Sequence, residues 1–296
     1  MILKHSGLPD NFFELERCET FGDYSRLYGD QIAEKFEDLN IIYIPYFPLD
    51  FDLEFIQSIN FPDSLPKPGI VNGLDQSVIG RSEEGFFVDE NHLLHKISGD
   101  TKLAVYLQNQ IFSVNCQIKE AIRILFPRYH SLQQGNNTWR CTNIVGDGLH
   151  FDYYLNNQDE PFRLKEENKL YQKIKLFINI DIEPRVWWTS FSLPDFLTYN
   201  KHSLPDTLSD DINLLNTFIE RSGILHKCNY HVVKYPTLSA IMVHTEAVSH
   251  HIQYGNRVVA AQFKCSSKDM LDSQKLIYKK LPYWLSDNEY SIKKIN

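Results

Sequence analysis

The residues of this 296-residue chain best suited to chemistry are histidines and an aspartate. His150 and Asp152 flank Phe151 in a His-x-Asp triplet. On an extended strand, residues two apart point the same way, so an imidazole and a carboxylate meet at one point. A distant histidine on a neighbouring strand completes a 2-His-1-carboxylate triad, which holds Fe(II) on one face and leaves the opposite positions open to an oxidising co-substrate and O2. The segment from Val243 to His251 offers three such histidines, His244, His250 and His251. On a regular strand His244 and His250 share a face and His251 takes the other. A rival set, His244, Glu246 and His250, has the His-x-Glu pattern of a cupin-like metal site but leaves the upstream triplet unused.

The surrounding sequence supplies elements able to position these groups. Lys102 to Phe126 is the clearest helix, with Leu103, Tyr106, Leu107, Ile111, Val114, Ile118, Ile122 and Leu125 recurring every three or four residues until Pro127 stops it. Shorter helices are expected over Tyr24 to Asp38 and Phe51 to Ile59, with a strand ending at Pro45 between them. Lys173 to Ile180 alternates strictly. Ile174, Leu176, Ile178 and Ile180 form an apolar face for a helical layer, and Lys173, Lys175, Phe177 and Asn179 form a mixed face able to line a polar cavity. Further strands are expected over Arg185 to Ser190, Tyr230 to Tyr235, Ser239 to His244 and Arg257 to Cys265, with a helical insertion over Leu204 to Arg221. The stretch from Phe61 to Arg81, rich in proline and glycine, predicts a surface loop or lid.

A helical start followed by short strands bearing separated metal ligands predicts a mainly β fold with flanking helices, a double-stranded β-helix or jelly roll. One domain over 1–296 is expected: a mostly helical part with a lid over 1–137, a β-helix core carrying the iron site over 138–265, and a C-terminal tail over 266–296. A formal net charge of −8 gives no general attraction to nucleic acid or an anionic membrane. The N-terminus lacks the apolar core of a signal peptide and no run of 18 apolar residues occurs, so a cytoplasmic protein is expected. Cys18, Cys116, Cys141, Cys228 and Cys265 are scattered and odd in number, which predicts free thiols.

Taken in order, several motifs resemble those of the Fe(II)/2-oxoglutarate dioxygenases, and among them the hydroxylases of Kdo, the octulosonate sugar of lipid A. They are Ile42-Tyr43-Ile44-Pro45, Leu125-Phe126-Pro127-Arg128-Tyr129, Arg140 upstream of Leu149-His150-Phe151-Asp152, Lys175-Leu176-Phe177-Ile178-Asn179, Pro184-Arg185-Val186-Trp187, and Val248-Ser249-His250 with Gly255 beyond. Two departures stand out: an extra polar stretch, Asn156 to Lys173, and Lys175 where the family's strand carries arginine.

The resemblance implies His150, Asp152 and His250 as both metal ligands and catalytic centre, with Fe(II), 2-oxoglutarate and O2 as cofactor and co-substrates. It also implies hydroxylation of a C–H bond, since Asp152 stands where halogenating relatives have a small residue. The implied substrate is a Kdo sugar on a lipid A precursor, met by peripheral contact at the inner membrane; a free amino acid or small polar metabolite is the alternative, and a non-catalytic jelly-roll binding protein a second. The far carboxylate of 2-oxoglutarate needs a cation, for which Lys175, Arg257 and Arg140 are candidates. Asn143, Asn179, Arg185 and Trp187 are candidates for substrate contact, although core packing explains the tryptophan equally well.

Overall fold

The computed structural model describes residues 10–58, 70–71, 74–75, 78–82, 101–135, 137–140, 148–152, 169–255 and 257–293. Seven α-helices are described: α1 (Phe21–Tyr28), α2 (Gln31–Glu37), α3 (Leu53–Ser58), α4 (Thr101–Leu125), α5 (Leu193–Tyr199), α6 (Ile212–Ser222) and α7 (Ile277–Asp287). The strands are β1 (Phe12–Glu14), β2 (Ile41–Ile44), β3 (Ile70–Val71), β4 (Leu74–Asp75), β5 (Val78–Ser82), β6 (Gln133–Gln134), β7 (Asn137–Arg140), β8 (Tyr171–Asn179), β9 (Arg185–Ser192), β10 (Thr207–Ser209), β11 (His231–Tyr235), β12 (Ala240–Val243), β13 (Val248–Tyr254), β14 (Val258–Ser266) and β15 (Ser291–Lys293).

Two sheets dominate. The larger runs β1-β2-β12-β8-β14-β7-β5 with β6 beside β14, and the smaller runs β11-β9-β13. The alternation of β8 explains how the large sheet is covered. Ile174, Leu176 and Ile178 share one buried cluster with Leu107, Ile111, Val114, Ile118, Ile122 and Leu125 of α4, so the helix buttresses the sheet as its periodicity predicts. Between the sheets, Tyr43, Ile241 and Val243 of the large one meet Trp187, Tyr235 and Val248 of the small one. A third cluster joins Leu149 and Phe151 to Phe196, Leu215, Ile219, Leu281 and Leu285 from α5, α6 and α7.

Some expectations change in detail. The single helix over Tyr24 to Asp38 is two, because Gly29 turns to φ +51° and its N–H caps Ser25 O at 2.8 Å. The insertion over Leu204 to Arg221 begins with β10, and α6 starts where the Asp211 carboxylate accepts from the N–H groups of Asn213 and Leu214. The mostly helical part contributes β1 and β2 to the large sheet. Within the expected C-terminal tail, α7 buries Ile277, Leu281 and Leu285. The expected lid falls mainly outside the described residues, as does most of Asn156 to Lys173. The four described cysteines, Cys18, Cys116, Cys228 and Cys265, are free thiols. No described helix is long and apolar enough to cross a membrane.

Candidate metal centre

Antiparallel pairing brings the two histidines together. His150 N–H donates to His250 O and His250 N–H to His150 O, both at 3.0 Å, so the His-x-Asp segment lies along β13. Their rings stand 4.6 Å apart. Phe151 and Leu149, alternating with the ligand candidates, turn the other way into the α5–α7 cluster. Apolar anchoring on that face fixes which face His150 and Asp152 present.

Each imidazole is oriented by its own chain. His150 Nδ1 lies 3.0 Å from Gly148 O and His250 Nδ1 lies 3.1 Å from Val248 O. A carbonyl only accepts, so Nδ1 is the donor in both rings and Nε2 is the nitrogen each ring turns toward Asp152. His150 Nε2 is 3.8 Å from Asp152 Oδ1, and His250 Nε2 is 4.0 Å from Asp152 Oδ2. Donor atoms of all three residues lie within 4.8 Å of one another, the only such cluster among the described residues. Two imidazoles presenting Nε2 and a carboxylate, the rings oriented by backbone carbonyls, fit a divalent transition metal such as Fe(II).

The charges suit that role. Burial, then the neighbouring His150, pushes His250 down to about 3, so its ring is neutral at physiological pH. Burial alone would raise the Asp152 carboxyl, but Lys175, then His250 and Lys173, hold it well below the usual carboxylate range. Lys175 Nζ donates directly to Asp152 Oδ2.

The competing ligand set is occupied elsewhere. His244 stacks on Phe36 with ring centroids 4.0 Å apart; its Nε2 meets Phe36 O at 3.0 Å and its Nδ1 meets Glu246 Oε1 at 3.3 Å. Glu246 Oε2 in turn faces Lys173 Nζ at 3.6 Å, both side chains being buried. This row braces the turn before β13 and does not join His250. Removing one member of a buried ion pair leaves the other charge in a low dielectric without that counterion. Glu246→Gln is therefore expected to lower unfolding stability by about 3–5 kcal/mol, checked by denaturant melts of the metal-free protein; a loss under about 1 kcal/mol would show the pair to be solvated. His251 faces away from the donor set, its ring 4.8 Å from Trp188.

The other candidate residues separate clearly. Arg257 is ion-paired to Asp181 at 3.2 Å, so its charge is already matched. Asn179 donates its amide to Glu183 O and Tyr235 O and accepts from Asp181 N–H, which makes it a brace for the end of β8. Trp187 is buried between the sheets with its ring 5.5 Å from that of His250, so it forms a wall beside the donors. Arg185 lies buried at the start of β9, with Nη1 3.5 Å from Gly255 O and Nε without a hydrogen-bond partner. Asn143 and the Arg140 side chain fall outside the described residues.

Sequence reasoning missed Asn216, whose side-chain amide reaches the backbone of both ligand-bearing segments. A signal was available. Asn213 and Asn216 interrupt the apolar face that Ile212, Leu215 and Ile219 set up, and both are buried.

No protein-family model matches the sequence, and no curated protein does. Solved structures similar in fold include the apo Kdo hydroxylase KdoO, a non-haem Fe(II) α-ketoglutarate-dependent dioxygenase, at a TM-score of 0.62 and 15% identity over 93% of this chain and 96% of that one. The same enzyme with α-ketoglutarate and Fe(III) matches at 0.62 and 14%, over 96% and 99%. With succinate and Fe(III) it matches at 0.59 and 17%, over 97% and 100%. At these identities the likeness establishes a shared fold.

Proposed function

We propose that this protein is an Fe(II)- and 2-oxoglutarate-dependent oxygenase that hydroxylates a C–H bond, with His150, Asp152 and His250 as the iron ligands. The observation that carries the reading is the pair of Nδ1–carbonyl contacts, which turns the two Nε2 atoms toward one carboxylate in a single donor cluster. The balanced reaction takes substrate, O2 and 2-oxoglutarate to hydroxylated substrate, succinate and CO2. Iron in this setting supplies the activation of O2 coupled to oxidation of the keto acid.

The chain's own residues do the positioning. His150 and His250 are oriented by Gly148 and Val248, Asp152 is kept ionised by its cations, and Trp187 closes one side of the site to water. Lys175 is the proposed partner of the far carboxylate of 2-oxoglutarate, because its ammonium already lies at the donor set, where iron on Asp152 would free it for the keto acid, while Arg257 is engaged by Asp181.

We read the fold as a double-stranded β-helix. Along the chain, β7, β8, β12 and β14 belong to the large sheet, whereas the His150 segment, β9, β11 and β13 belong to the small sheet or pair with it. The substrate proposed is a Kdo sugar on a lipid A precursor, met by peripheral contact at the cytoplasmic face of the inner membrane. Its support is the motif resemblance together with the end-to-end likeness in fold to a Kdo hydroxylase.

Anaerobic addition of Fe(II) and then 2-oxoglutarate to the apo-protein is expected to give the weak visible charge-transfer band of a chelated keto acid. With O2 and lipid A precursor, product gaining one oxygen and succinate should appear in equal amounts. Tight zinc binding with no response to 2-oxoglutarate would overturn the chemistry. An unmodified Kdo lipid beside oxidation of a free amino acid in cell extract would overturn the substrate alone.

A further inference from the structure

The two ligand-bearing segments do not run as a regular ladder. His150 pairs with His250, and an unbroken antiparallel register would next set Asp152 opposite Val248. Instead Val248 N–H turns back to His244 O at 2.9 Å, and Asp152 N–H donates to Thr245 O at 2.8 Å. The turn over 244–247 thus interrupts strand pairing exactly where the carboxylate ligand sits. The Asp152 and Glu246 carbonyls face the gap.

Asn216 of α6 fills that gap. Its Nδ2 donates to Asp152 O and to Glu246 O, each at 2.9 Å, so one amide spends both of its hydrogens on the two segments. The side chain is buried, and its Oδ1 has no hydrogen-bond partner. An orphaned buried oxygen is unfavourable, and an isosteric leucine would remove it. What leucine cannot supply is the bridge between the segment holding His150 and Asp152 and the turn that leads into His250.

We infer that Asn216 is a positioning residue for the metal centre: its amide fixes the spacing between the Asp152 carboxylate and the His250 imidazole. Helix α6 is suited to hold it, because Leu215 and Ile219 pack in one cluster with Leu149 and Phe151, the neighbours of the ligands. Asp211, by capping the helix, sets the height at which Asn216 projects. The inference rests on His150, Asp152 and His250 being metal ligands, not on the substrate or on turnover.

The test compares Asn216→Leu with Ile219→Val, a change on the same helix that loosens packing without touching the bridge. Co(II) is titrated into the apo forms of wild type and both variants, and the intensity of the visible d–d bands is recorded with far-UV circular dichroism and melting temperature. Loss of an outer partner of metal ligands typically weakens affinity by about 10–100-fold. Asn216→Leu is expected to show that loss with altered band intensity, while Ile219→Val binds as wild type does. If Asn216→Leu fails to fold, Asn216→Ser is read in the same way, with weaker Co(II) binding than Ile219→Val as the expected result. Affinity and spectrum within about two-fold of wild type, or equal losses in the two helix variants, would overturn the assignment. A wild-type protein that binds no Co(II) would instead overturn the metal reading beneath it.

Discussion

His250→Ala is expected to abolish both stoichiometric Fe(II) binding and iron-dependent succinate formation. The imidazole supplies one of three donors, its Nε2 is 4.0 Å from Asp152 Oδ2, and its Nδ1 is held by Val248 O. Alanine leaves two protein ligands, and among the described residues no other histidine belongs to this donor cluster. His251, one residue on, lies against Trp188 on the opposite face of β13, so His251→Ala should keep a substantial part of the metal and the activity. His244→Ala should also keep the ligand set, at a cost in stability, because it removes a ring stacked on Phe36 and hydrogen-bonded to Glu246. The check is bound iron per chain and succinate released, measured for all three variants. Iron retained in His250→Ala but lost in His244→Ala would show the ligand set misassigned and would restore the His244–Glu246 pattern.

The second large effect concerns the co-substrate. Lys175→Met is expected to raise the 2-oxoglutarate concentration needed for half-maximal rate about thirty-fold, with a smaller loss of Fe(II) affinity because Lys175 also helps keep Asp152 ionised. Losing one partner of a buried charge pair costs on the order of 2–5 kcal/mol, and every 1.4 kcal/mol is tenfold. Solvent screening of an ammonium that is 25% exposed puts the effect at the lower end. Arg257→Met should behave differently. It removes the guanidinium facing the buried Asp181 carboxylate, so melting temperature should fall with little change in 2-oxoglutarate requirement. Should Lys175→Met leave that requirement unchanged while Arg257→Met raises it, the two roles are exchanged; if neither moves it, Arg140 becomes the residue to replace.

The contrast between legible and hidden features follows from the range of the interactions. The strand over Lys173 to Ile180 was readable because alternation records which face is apolar, and Lys175 duly points toward Asp152 while Ile174 and Leu176 meet α4. The clustering of His150, Asp152 and His250 was readable because His-x-Asp in an extended segment fixes a shared direction. The break at Gly29 has a local signal too, a glycine able to take φ +51° inside a helical pattern. Asn216 is harder to foresee. It acts on carbonyls 64 and 30 residues away, and backbone acceptors leave no mark in the side-chain pattern. The same holds for Arg257, whose partner Asp181 is 76 residues distant; a cation's sequence position says nothing about whether the fold has already matched its charge.

Gly255, at φ +152°, lies directly under the Arg185 side chain. A Cβ built there would stand 2.5 Å from Arg185 Nη1 and 2.8 Å from its Cγ. The first clash could be relieved at the end of a flexible chain, but the second lies near its root, and the backbone conformation itself disfavours any side chain. Positions 185 and 255 are consequently an epistatic pair: a residue larger than glycine becomes admissible at 255 only after the arginine has been shortened, and even then at a backbone cost. Mutational drift at this edge of the small sheet has an order imposed on it, with β9 having to change before the β13–β14 connection can.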